Sequence, residues 1–173
     1  MIKLFLDCEW ADVSAQQLVS LALISEDGKH RFYGEMAPLP SRPTVFVQTV
    51  VYPLLEHGWV SMRADEMAQS LRRFFAQHDE PVVIFDHPDD GRLLRRALLG
   101  FTNPPQLSSE PQYREALVSR ESIAHCIERY FLQHPDAARR RHHAGVDAEA
   151  LRWAWSQLQI EGEGRDGEVA DPV

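Results

Sequence analysis

Apolar residues along this 173-residue chain fall into two patterns, short continuous runs and runs with helical spacing. "IKLFLD" (2–7) is a short apolar run closed by an acid, which predicts a buried strand. "LVSLALIS" (18–25) is rich in strand-forming residues, and the Asp-Gly turn signal after it predicts a hairpin into a third strand, "HRFYGEM" (30–36). A Pro-rich connector leads into "SRPTVFVQTVVYPLLEHG", read as a helix ending near Gly58 despite its β-branched content. In "ADEMAQSLRRFFAQH" (64–78), Met67, Leu71, Phe74 and Phe75 share one face of an amphipathic helix. "PVVIFD" (81–86) repeats the strand-then-acid pattern. Helices follow at "DDGRLLRRALLG", which opens with acids and closes on a glycine, and at 119–134 and 148–160. The order βββ, α, α, β, α, α, α predicts an α/β fold, with an antiparallel meander and a parallel strand added through a helical crossover.

Composition narrows this to one domain over 1–160 with a separate tail. The segment 161–173 holds five acids against Arg165 and is Gly-rich, so it is expected to be a disordered acidic tail. That tail carries half of the formal charge of −8, and basic clusters persist at Arg72-Arg73, Arg95-Arg96 and Arg139-Arg140-Arg141. Charge therefore neither supports nor excludes a polyanionic substrate. No apolar run reaches the length of a membrane span, and the N-terminus turns acidic too quickly for a signal peptide. Two cysteines, Cys8 and Cys126, make a poor disulfide framework. A cytoplasmic protein with no membrane partner is the expectation.

The candidate chemistry lies in acids at strand ends. Asp7 and Glu9 are two apart, so in a continuing strand they face the same way. Paired carboxylates repel unless protonated or bound to a cation, and oxygen clusters suit hard ions such as Mg²⁺ or Mn²⁺. Asp86 closes the second acid-ended strand, Asp89 and Asp90 lie just beyond it, and Asp147 opens the last helix. Asp89, Asp90 and Asp147 also suit the negative first turn of a helix, which favours acids by itself. His30, His57, His78, His125 and His134 read as scattered surface or boundary histidines.

In combination, "FLDCEW", "VIFDHPDDGRLL" and "HHAGVDAEAL" resemble the three motifs of the DEDDh 3'-5' exonucleases, the RNase T-like branch of the RNase H-like fold. Asp7 and Glu9 match the first motif; Asp90, with Leu93 and Leu94, matches the second; His142, Ala144, Asp147 and Ala148 match the third. The small size, the "DCEW" start and the meander are most similar to a compact exoribonuclease branch known from mycobacteria. The resemblance implies an RNase H-like mixed sheet. It also implies two divalent ions, Mg²⁺ or Mn²⁺, held by Asp7, Glu9, Asp90 and Asp147, with His142 as general base. The implied reaction hydrolyses the 3'-terminal phosphodiester of RNA and releases nucleoside 5'-monophosphates. DNA ends are an alternative substrate, and a silent relative that binds nucleic acid or protein is an alternative function. A homodimer stays open.

Two departures bear on substrate choice. Where many relatives carry Thr-Gly-Leu after the first motif, this chain has "WAD", so Trp10 is a candidate to stack on a base, or to pack. Where many have an Asn ahead of the second-motif Asp, Asp86 stands near that place. The adjacent histidines also divide two lines of reasoning. An unbroken helix would put His143 on the face of Asp147. Gly145 weakens the helix there, so a start near Gly145 or Val146 is expected, with His142 in the loop and His143 turned to solvent. The resemblance assigns the base to His142, and His143 is the alternative.

Overall fold

The computed structural model describes residues 1–101 and 111–166, with side chains to residue 160. Its elements are β1 (Lys3–Trp10), β2 (Leu18–Ser25), β3 (Arg31–Met36), β4 (Ser61–Met62), α1 (Ala64–Phe75), β5 (Val82–Phe85), α2 (Pro88–Leu98), β6 (Arg114–Leu117), α3 (Arg120–Gln133), a single turn α4 (Pro135–Ala138) and α5 (Ala144–Asp166). They build an α/β fold around one mixed sheet of order β4-β3-β2-β1-β5-β6. β1, β2 and β3 form the expected antiparallel meander, while β5 pairs parallel to β1 and β6 parallel to β5. In the first hairpin Gly28 takes φ +71°, a left-handed conformation that glycine adopts without steric cost.

The alternation of β1 sorts its side chains between two helical layers. Leu4, Leu6 and Cys8 pack with Leu71 and Phe75 of α1 and Leu93 and Leu94 of α2. Phe5 faces the other way, onto Ile84, Ile123 and Cys126 of α3, and Leu151 and Ala154 of α5. Both cysteines are buried and free. The N-terminal turn of α5 presents Ala144 and Ala148 to Ala22, Ile24 and Tyr33. Small side chains on both sides let the helix lie close to the sheet, which matters for the residue between them, Asp147. No helix among the described residues is long and apolar enough to cross a membrane.

Several boundaries differ from the sequence reading for tertiary reasons. β1 runs on to Trp10 because its pairing with β2 continues. The helix expected to end near Gly58 is a short helical segment with π geometry at Val47–Val51 and a 3₁₀ turn at Tyr52–Leu54. Its β-branched run and Pro53 fit an α-helix poorly. β6, "REAL", has no strand pattern of its own and exists because its backbone pairs with β5. α5 starts before 148 and continues to Asp166, into the stretch read as a tail, while 167–173 lie outside the described residues.

Gly91 allows α2 to seat on the sheet. A Cβ at this position would stand 2.6 Å from the Phe85 ring. Gly91→Ala should therefore destabilise the fold, because overpacking of about 1–3 kcal/mol outweighs the helix-propensity gain of about 1 kcal/mol. Thermal unfolding checks the sign, and an unchanged or raised Tm would mean the buried ring yields.

Candidate active site

β1 and β5 part company before β1 ends. Their ladder covers Lys3–Val82, Leu4–Val83 and Phe5–Ile84. Past it, β1 keeps β2 on one side only. This is also where chain connections leave the sheet in opposite directions, the usual place for a ligand crevice in an open α/β sheet. α2 fills part of the gap: the Cys8 N–H, without a strand partner there, donates to Asp90 Oδ1 at 3.2 Å. Asp90 is 2% exposed.

On the α5 side, Asp7 and Glu9 follow Phe5 at the alternation of two. Asp147 lies one turn before Leu151, which packs on Phe5, so the helix carries its carboxylate over the same strip of sheet. The chain just before α5 is capped in an unusual way. His142 has φ +73°, a left-handed backbone that is costly for a residue with a Cβ. In that conformation its N–H donates to Asp147 Oδ2 at 3.1 Å. Glu9, His142 and Asp147 each bring one ligand-capable atom to within 4.8 Å of the others. Asp7, Glu9, Trp10, Asp86, Asp90, His142 and Asp147 all line one cleft of about 490 Å³.

His143 does not point to solvent. It is 5% exposed and stacks on Tyr33 with ring centroids 4.5 Å apart. Its Nδ1 accepts the Gly145 N–H at 3.1 Å, and its carbonyl accepts from Val146 and Asp147. Nε2 lies 3.3 Å from Glu56 Oε1. Glu56 in turn donates its backbone N–H to the buried Glu35 carboxylate, which also accepts the Tyr33 hydroxyl. His143 is thus the cap that fixes the start of α5. Gly145 lies inside the helix and does not interrupt it; the left-handed turn and this cap leave His142 outside, facing the acids.

Burial and mutual repulsion dominate the electrostatics. Burial raises Asp7 well above the usual carboxylate range, and Asp147, Asp90, Glu9 and Asp86 raise it further. Glu9 is pushed up to about 9, by burial and then by Asp147 and Asp90. Asp90 is raised by burial and by Asp86, against the opposing Cys8 N–H. Asp147 rises to about 7 through burial, while the His142 N–H and the Arg141 charge hold it down. Burial and then Arg141 lower the His142 imidazole below its ordinary value, so it is neutral at pH 7 with a lone pair to accept a proton. Asp7 Oδ2 and Asp147 Oδ1 are buried without a hydrogen-bond partner. Buried acceptors amid like charge need a proton or a cation, and a donor set of carboxylates with one imidazole fits a hard divalent ion.

The cleft holds residues that the sequence reading left unassigned or missed. Asp86 joins the four motif carboxylates at the cleft, signalled by its place at a strand end, and Asp12 and Glu128 line it as well. Phe46, half-exposed, stands edge-on to His142 with centroids 4.9 Å apart, and no sequence periodicity links positions 46 and 142. The Trp10 ring tilts against His87 at 5.2 Å while lining the cleft, so packing and an exposed face coexist. Arg139, Arg140 and Arg141 do not form a free basic patch; they pair with Asp136, Glu56 and Glu128. No family model and no curated protein matches the chain.

The raised carboxyls have a consequence for stability. From about pH 4, where unfolded carboxyls titrate, up to about 9, where Glu9 does, the native state holds more protons than the unfolded chain. Stability therefore falls as pH rises through that window. With a chelator present, Tm should be lower at pH 9 than at pH 5. Asp7→Asn should raise Tm at pH 9 by several degrees, since each kcal/mol is roughly 2–4 °C at this chain length. A Tm that rises with pH, or an Asp7→Asn protein less stable than wild type at pH 9, would contradict the repulsive cluster.

Proposed function

We propose that this protein is a metal-dependent 3'-5' exoribonuclease of the DEDDh type, with its mixed sheet an RNase H-like sheet. One observation carries the reading. Asp7, Glu9, Asp90, His142 and Asp147, drawn from three separate stretches of sequence, line a single cleft, with buried carboxylate oxygens left without hydrogen-bond partners. Asp7, Glu9, Asp90 and Asp147 would hold two Mg²⁺ or Mn²⁺ ions, which supply an acidified water and stabilise charge on the leaving 3' oxygen.

The chain's own groups do the rest. His142, neutral at pH 7, takes the proton of the attacking water. Its backbone N–H holds the Asp147 carboxylate, so the base and one ligand are positioned by the same residue. The left-handed turn that makes this possible is secured by the His143 cap and its stack on Tyr33. Trp10 offers a ring at the cleft for the terminal base. The net acidity of the cleft is no obstacle, because bound ions reverse the local field.

Digestion of 5'-labelled RNA and matched DNA oligonucleotides with Mn²⁺, Mg²⁺ or chelator tests the reading. Stepwise shortening from the 3' end, abolished by chelator and faster on RNA, is expected. Faster loss of DNA would move the substrate to DNA ends, and no metal-dependent shortening of either would end the proposal. Asp7→Ala, Glu9→Ala, Asp90→Ala and Asp147→Ala should each abolish turnover in folded protein.

The histidines should separate by two measurements. His142→Ala should cost about 10²–10⁴-fold in rate with a modest change in Tm. His143→Ala should lower Tm, because it removes a buried stack and a helix cap worth roughly 0.5–2 kcal/mol. A His143→Ala protein of unchanged Tm but no activity would make His143 the base instead.

A further inference from the structure

One face of α3 forms a wall of the cleft. Arg120, Ala124, Ile127, Glu128 and Phe131 all line it, at the spacing of a single helical stripe. The carboxylic groups around this cleft are numerous, whereas the arginines among its described lining residues are two, Arg120 and Arg141. Both are unusual. Arg120 lies in the first turn of α3, where the helix dipole disfavours a cation, and it is exposed with no hydrogen bond or ion pair among the described residues. It adds nothing to helix stability there. Arg141 immediately precedes His142, and its guanidinium lies over the Phe131 ring at 4.9 Å, pairing through both nitrogens with Glu128. That pair is largely exposed, so it exchanges readily for another anion.

The eight-residue step from Arg120 to Glu128 covers about 12 Å of helix. At about 3.4 Å per stacked nucleotide, that length matches roughly three nucleotides. We infer that α3 is the track for the single strand upstream of the scissile linkage. Arg141 exchanges Glu128 for the phosphate nearest His142, and Arg120 meets a phosphate two to four nucleotides further on, with Ala124 and Ile127 offering apolar surface between them. The substrate is then an oligonucleotide of several nucleotides in preference to a dinucleotide. The direction of the strand rests on the nuclease reading; the binding of a polyanion by the two arginines does not.

Binding separates the two ideas. In an Asp7→Asn background, anisotropy of a 5'-fluorescent RNA octamer is followed over a range of salt concentrations. Arg120→Gln and Arg141→Gln should each weaken octamer binding several-fold and reduce the log–log salt slope by about 0.7, the loss of one phosphate contact. The loss should be larger for the octamer than for a dinucleotide with Arg120→Gln. Glu128→Gln should tighten octamer binding, because it releases Arg141 and removes an acid from the track. Arg141 also touches the electrostatics of His142 and Asp147, so its kcat is not diagnostic, whereas the salt slope is. Arginine-dependent slopes without hydrolysis by the wild-type chain would keep the track and end the nuclease reading. Hydrolysis with slopes unchanged in both folded variants would end the track and keep the nuclease.

Discussion

The cleft depends on β1 running on past Phe5, the last residue at which it pairs with β5. A strand that keeps one neighbour and loses the other presents unpaired backbone at a sheet interior, and something polar must meet it. Here the Asp90 side chain does so through the Cys8 N–H. The same overhang carries Asp7 and Glu9 beyond the apolar core, on the face that α5 covers. A longer β5 would close the gap and leave no room for the acids.

The arrangement works against stability. Asp7, Glu9, Asp90 and Asp147 are each raised by burial, and no arginine or lysine is paired with any of them among the described residues. Elsewhere the chain pairs its charges freely, as in Arg92 with Asp89 and Arg152 with Glu149. Acids gathered in one cleft with only the Arg141 charge set against them are costly to ionise together, whereas a structural ion network would contain its own counter-charges.

Adjacent histidines with opposite fates show how little separates a cleft-facing side chain from a structural one. A backbone turn at φ +73° sends the His142 ring to the acids and the His143 ring under Tyr33. The cost of that turn is met by the Asp147 carboxylate accepting the His142 N–H, and by the Gly145 N–H bonding to the His143 ring. Periodicity alone would have paired Asp147 with His143. It fails because the helix begins after both histidines, at Ala144.

Much of the architecture was legible in the order of residues. The meander, the two strands ending in acids and the amphipathic helices follow from local periodicity, because burial of one face is a local demand on each element. The five acidic and imidazole candidates were legible too, as residue types in motifs with recognisable spacing. What required the tertiary structure was everything set by contact between distant segments. "REAL" becomes a strand only because β5 offers an edge. Phe46 reaches His142, and Arg141 reaches Glu128 and Phe131, across separations that no local pattern encodes. The sequence by itself determined which groups are candidates for chemistry; only packing of α5 against the sheet beside the open end of β1 decided which of them share a cleft, because that depends on small side chains at Ala144 and Ala148 of the helix meeting Ala22 of β2.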